Sequence, residues 1–134
     1  MLKIFSKILL MSLLTLFIIG CGGGGNASTP EETNFKKITQ EEAQKMMDEN
    51  PEAIILDVRE QKEYDEKHVK GALLVPLDDI KAGKLSKLPD KNATILVYCR
   101  TGRRSTMAAK ILADNGYKNI YEFGGINDWQ GATE

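Results

Sequence analysis

Acidic residues are missing from the first twenty positions, and basic residues are in no excess over the chain: 18 Lys and Arg stand against 19 Asp and Glu. That balance lacks the basic footprint of a nucleic-acid-binding domain, so no nucleic-acid partner is expected. No apolar run reaches the roughly 20 residues that a membrane span needs. No stretch repeats another. Histidine and tryptophan occur once each and cysteine twice in 134 residues, so at most one intramolecular disulfide is open to the chain. What is present suffices for one core. Hydrophobic residues make up 42% and charged residues 28%, and a chain of this length and composition folds as a single domain.

The acid-free start carries Lys3 and Lys7, then an apolar run from Ile8 to Ile19 interrupted by Ser12 and Thr15. Cations followed by a short apolar stretch are the pattern of an export signal. Ile18-Ile19-Gly20-Cys21 resembles the bacterial lipobox, in which an aliphatic and a small residue precede a cysteine that is acylated and becomes the new first residue. The resemblance implies a signal peptide over residues 1–20 and lipidation of Cys21. It also implies an exported protein anchored to a bacterial membrane and facing outside the cytoplasm. One acyl chain holds a protein only marginally and two or more hold it stably, so the anchor is expected to be permanent. Loss of residues 1–20 removes two lysines and no acid, which leaves 16 cations against 19 anions.

Residues 21–34 read Cys-Gly-Gly-Gly-Gly-Asn-Ala-Ser-Thr-Pro-Glu-Glu-Thr-Asn. They lack the apolar side chains that repay ordering, so a flexible tether is expected. A coil of about 13 residues spans roughly 20 Å. The folded domain is expected over residues 35–134, working as a monomer.

Within it, Phe35 to Ile38 suits a short strand, and Thr39 with Glu42 fits a capping box opening a helix to about Asp48. Ala53 to Val58 reads as a buried strand, followed by a short helix through Tyr64. Val69 to Val75 reads as a strand stopped by Pro76, and residues 77–90 as a weak helix and a loop. Thr94 to Tyr98 packs β-branched, aliphatic and aromatic side chains without a breaker, the clearest strand of the chain. Helical spacing runs from Ser105 through Met107, Ala108, Ile111 and Leu112 to a cap at Gly116, and Asn119 to Phe123 returns as a strand. The alternation calls for an α/β layered domain with a mainly parallel sheet.

Chemistry concentrates in Val97-Tyr98-Cys99-Arg100-Thr101-Gly102-Arg103-Arg104-Ser105, which passes from a buried strand through a tight loop into a helix. In open α/β sheets ligands bind beyond the carboxyl ends of strands, where amides at the next helix start point outward. A helix N-terminus and nearby cations lower a thiol from about 8.5 to roughly 3.5–7.5, and Arg100, Arg103 and Arg104 supply cations. Gly102 permits the turn that aims the amides inward. A nucleophilic thiolate in such a cradle suits an oxyanionic substrate of sulfur or phosphorus. The expected site is a shallow cup, open to solvent, around an ionised sulfur.

This loop resembles the active-site loop of rhodaneses, a catalytic cysteine heading six residues that cradle it. Ile54-Ile55-Leu56-Asp57-Val58-Arg59 is similar to the family's first signature. Glu63-Tyr64 through His68-Val69-Lys70-Gly71-Ala72 to Pro76 is similar to its second, and Gly124-Gly125 with Trp129 to its closing segment. Lys67 departs from the glycine that the family often carries before the histidine. The resemblance implies a rhodanese-like three-layer fold with a mainly parallel sheet flanked by helices. It implies a sulfurtransferase in which Cys99 takes the outer sulfur of a small anionic donor such as thiosulfate. The sulfur is carried as a persulfide and passed to a thiol or cyanide acceptor, with no metal and no organic cofactor. Amides of residues 100–104 would hold the outer sulfur, and Arg104 or Arg100, with Arg103, would steer the donor.

Two other functions stand beside it: a rhodanese-like sulfur carrier or protein-binding module without efficient turnover, and a cysteine phosphatase or arsenate reductase. Cysteine phosphatases use a longer loop with arginine six residues after the cysteine, where this chain has Ser105. The shorter loop suits a single sulfur atom better than a phosphate ester. His68 is expected to be structural, Asp57 and Arg59 to tie loops together, and Tyr98 and Trp129 to be core or pocket wall. Ser105 is expected to cap the helix it begins.

Overall fold

The structure, a computed structural model, describes residues 34–134. The expected signal segment, Cys21 and nearly all of the tether lie outside the described residues. Strands β1 (Lys36–Lys37), β2 (Ile54–Asp57), β3 (Leu73–Leu74), β4 (Thr94–Cys99) and β5 (Asn119–Gly125) alternate with four helices. These are α1 (Gln40–Glu49), α2 (Gln61–Glu66), α3 (Leu77–Lys81) and α4 (Arg103–Asp114), and a 3-10 turn follows at Ile126–Asp128. The strands form one sheet in the order β1-β5-β4-β2-β3, and every neighbouring pair is parallel. The expected α/β layering is what forms.

Side-chain alternation explains the layers. Along β4, Ile95, Val97 and Cys99 share a core with Leu77 and Ile80 of α3 and Ala108, Ala109 and Leu112 of α4. Leu96 and Tyr98 point to the other face, with Ala43 of α1, Phe123 and Ile126. Both faces of β4 are covered, which is why its sequence runs apolar without a break. Period-two alternation therefore puts Cys99 on the α4 side of the sheet.

Local signals act where they were expected. Thr39 accepts from the Glu42 amide at 3.0 Å while the Glu42 carboxylate accepts from the Thr39 amide at 2.9 Å, closing the capping box of α1. Gly116, at φ 93°, turns the chain out after α4. Two expectations shift. The strand expected over Val69 to Val75 shrinks to Leu73–Leu74, because the Ala72 amide turns back onto the Val69 carbonyl and Gly71 takes φ 84°. Helix α4 begins at Arg103, with Gly102 and not Ser105 in the cap position.

Beneath the sheet's carboxyl end lies a buried polar knot. The Arg59 guanidinium meets Asp57 at 2.7 Å, and both residues are buried. Arg59 also donates to the Lys67 carbonyl at 2.7 Å. Tyr98 donates to Asp57 and accepts from the Val69 amide at 3.0 Å. Asp57 and Arg59 thus tie three segments together. Lys67 sits at φ −172°, an extended backbone open to any residue, so replacing the family's usual glycine strains nothing there.

Candidate active site

Cys99 ends β4, and the chain then turns through residues 100–102 into α4. Gly102 makes the turn possible at φ 110°, a conformation that side-chain-bearing residues rarely adopt. Its amide donates to the Cys99 sulfur at 3.0 Å. Behind the loop, the Arg100 carbonyl accepts from the Asn127 amide at 3.2 Å. Gly125 lies so close that a Cβ there would fall 2.1 Å from the Arg100 carbonyl oxygen. The absent side chain of Gly125 is what lets the loop pass over β5.

Burial pushes the Cys99 thiol up, but the Ser105 hydroxyl and the amides of Ser105, Gly102 and Thr101 outweigh it and leave the thiol below its ordinary value. Hydrogen bonds from the loop and the start of α4 dominate this lowering. The amide of Ser105, one residue past the expected loop, belongs to the cradle. Ser105 itself is fully buried at the third position of α4. Its hydroxyl lies 3.4 Å from the Cys99 sulfur and 2.7 Å from the Glu122 carboxylate. It is a wall of the site and not a helix cap, which corrects the expectation from sequence.

The three arginines part company. Arg100 and Arg103 are exposed. Arg104 is held by Glu63 of α2 in a two-pronged pair, with contacts of 2.7 and 2.9 Å. Thr101 is exposed at the loop's tip. An open cavity of about 230 Å³ adjoins the loop, lined by Arg59, Glu63, Lys67, Arg100 and Asn127 among others. Cys99 does not line it. The sulfur is also deeper than the shallow cup expected, since Cys99 retains 1% of its surface.

His68 is placed structurally: its Nδ1 donates to the Tyr64 carbonyl at 2.8 Å and its ring stacks on Tyr64 at 3.7 Å between centroids. Trp129 packs on Phe123. Glu122, two residues before Gly124, is buried under the loop and was not singled out from sequence. Its signal was available, a lone charge inside an apolar strand. Among the described residues, no three His, Cys, Asp or Glu side chains gather where they could hold a metal ion.

The Rhodanese-like domain family matches residues 39–132 of the chain. This chain belongs to that family. Thiosulfate sulfurtransferase PspE of Escherichia coli K12 is 41% identical over 73 residues, which cover 54% of this chain and 70% of that protein. Putative sulfur carrier protein YrkF of Bacillus subtilis 168 is 33% identical over 112 residues, covering 83% of this chain and 60% of that protein. Among solved structures, a rhodanese with anions from E. coli aligns with a TM-score of 0.56 at 36% identity, covering 61% of this chain and 96% of its own. The rhodanese relatives thus carry the names of sulfurtransferases and of a sulfur carrier.

Proposed function

We propose that this rhodanese is a sulfurtransferase that carries a sulfane sulfur as a persulfide on Cys99. The observation that carries the reading is the lowered thiol at the floor of an amide-lined well. The Cys99 thiolate attacks the outer sulfur of a donor such as thiosulfate. An S–S bond forms, the bond to the sulfonate sulfur breaks, and sulfite leaves with the electron pair. The persulfide's outer sulfur then takes the place of the incoming atom among the loop amides, where its negative charge is stabilised. An acceptor thiolate or cyanide attacks that sulfur and returns Cys99 as a thiolate. Exposed Arg100 and Arg103 gather the anionic donor, and Arg104 adds a charge fixed by Glu63.

Mass spectrometry of intact protein after thiosulfate tests this directly. One added sulfur on wild type and none on Cys99→Ser is expected; no added sulfur on wild type removes the reading. The likeness to a named sulfur carrier keeps a second reading in play, in which loading is ready but turnover requires one protein acceptor. Steady-state rates with cyanide and several small thiols separate the two, since an enzyme turns over with them and a carrier does not.

The site is proposed to work outside the cytoplasm, held to a bacterial membrane through lipid on Cys21. The motivation is the lipobox-like Ile18-Ile19-Gly20-Cys21 behind a cationic, apolar start. Metabolic labelling with a radioactive fatty acid is expected to mark wild type and not Cys21→Ala; an unlabelled wild type refutes the anchor.

A further inference from the structure

Glu122 is a buried carboxylate for which the sulfur-transfer scheme has no use. Its placement follows from an irregularity of the sheet. Val97 of β4 pairs with Glu122, but two residues later Cys99 pairs with Gly125, so β5 carries one extra residue between them. The bulge takes up Gly124 at φ 93°, and the Gly124 amide donates back to the Glu122 carboxylate at 3.0 Å. Glu122 therefore ends up beneath the loop, on the α4 side of the sheet. It retains 4% of its surface, and among the described residues no cation lies within ion-pairing distance of it.

The same Glu122 oxygen faces the Ser105 hydroxyl at 2.7 Å, nearer than the Gly102 and Gly124 carbonyls at 3.1 and 3.4 Å, and that hydroxyl faces the Cys99 sulfur at 3.4 Å. Ser105 has one proton to give. If it goes to an ionised Glu122, the serine oxygen turns a lone pair to the sulfur and accepts from a thiol. If Glu122 holds a proton, that proton is donated to the serine oxygen, and serine donates to a thiolate. The two arrangements differ only in where one negative charge sits.

Resting on the sulfurtransferase reading, we propose that Cys99, Ser105 and Glu122 form an internal proton relay in which Glu122 stores the Cys99 proton during sulfur transfer. The thiol proton passes to Ser105 Oγ as the serine proton passes to Glu122. Thiol and carboxylate become thiolate and carboxylic acid, with no change in net charge and no base drawn from solvent. Cys99 retains only 1% of its surface, so a base beside the sulfur spares it an exchange of protons with solvent. The proton stays on Glu122 while the persulfide exists, so two anions never share the buried site, and it returns to Cys99 if the free thiol is restored.

Few other charged groups face Glu122. On β4 its register partner is apolar Val97, with Cys99 beyond. On β1 its partner is Lys37, whose ammonium reaches Thr106 at 3.2 Å. On α4, Arg103 is exposed and Arg104 is engaged by Glu63. Helix α1 contributes to the core on the opposite face, with Phe123.

A coupled pair loses its two protons in two steps that belong to the pair. The test is thiolate ultraviolet absorbance against pH in the full chain, with the Cys99→Ser spectrum subtracted so that Cys21 and the tyrosines cancel. Wild type is expected to rise in two steps with a plateau between. Glu122→Gln, of nearly the same shape, is expected to rise in one step of about tenfold per pH unit in thiolate-to-thiol ratio. Ser105→Ala serves as a second variant should Glu122→Gln fail to fold, and is expected to lose the plateau. The infrared difference between persulfidated and resting wild type should show a carboxylic-acid band. A single-step wild-type curve that Glu122→Gln superimposes on, or the lack of that band, overturns the relay. Neither result touches the sulfurtransferase reading, which stands or falls on the mass of the loaded protein.

Discussion

Replacing Glu63 by glutamine should weaken the domain by an amount that depends on pH. The Arg104 hydrogen bonds hold the Glu63 carboxyl down from 4.5 to about 2, against partial burial and with help from the Glu60 amide and the charges of Arg104 and Arg59. At about 1.4 kcal/mol per pH unit, that depression is worth at most roughly 3 kcal/mol. The paired side chains are 31% and 23% exposed, and solvent screening reduces the net contribution to about 1–2 kcal/mol. A depressed carboxylate stabilises fully above its unfolded value and loses that contribution as pH falls through its folded value. Glu63→Gln is therefore expected to melt about 5–10 °C below wild type at pH near 7, for a domain of this size. The gap should close between about pH 4.5 and pH 2 as wild type loses the contribution that the variant never had. Calorimetric melting of both proteins across that range is the assay. Equal stability near neutrality, or a gap that persists undiminished at about pH 2, would refute the reasoning.

Gly125→Ala places a Cβ against the backbone of Arg100 and Thr101, so the loop must move; sulfur loading timed by mass spectrometry is expected to slow at least about tenfold, since small misplacements of reacting groups are that costly. A wild-type rate would mean that the loop's seat on β5 is not what aligns it. Tyr98→Phe leaves the buried Val69 amide without its partner and removes a donor from Asp57. It is expected to lower unfolding free energy by about 1–3 kcal/mol in denaturant titration, and an unchanged midpoint would show the knot to be dispensable.

Most of the fold was legible because its causes are local. The Thr39 capping box, the unbroken apolar run of Thr94 to Tyr98 and the glycine at position 102 each act within a few residues of where they stand. Cys99 was legible for the same reason, at a strand end before a helix. What escaped depends on distant pairing. Arg104 could not be seen to be committed to Glu63, 41 residues away. Ser105 read as a cap because hydroxyl residues favour helix starts, yet the φ of Gly102 moved the start forward and turned Ser105 inward. Glu122 stood out as a lone charge in an apolar strand, but its place beneath the loop depends on the bulge in β5, which no alternation pattern announces. The depth of the sulfur likewise arises from Gly125 and the 3-10 turn closing behind the loop.

The rims of the sheet, β1 and β3, are two residues long each, and β1 consists of Lys36 and Lys37. A foreign strand seeking open amides and carbonyls finds little ladder to extend and, on one side, two like charges. Where many copies lie side by side, this geometry keeps neighbours from zipping together edge to edge, and it leaves the carboxyl ends of the strands free to meet their reactants.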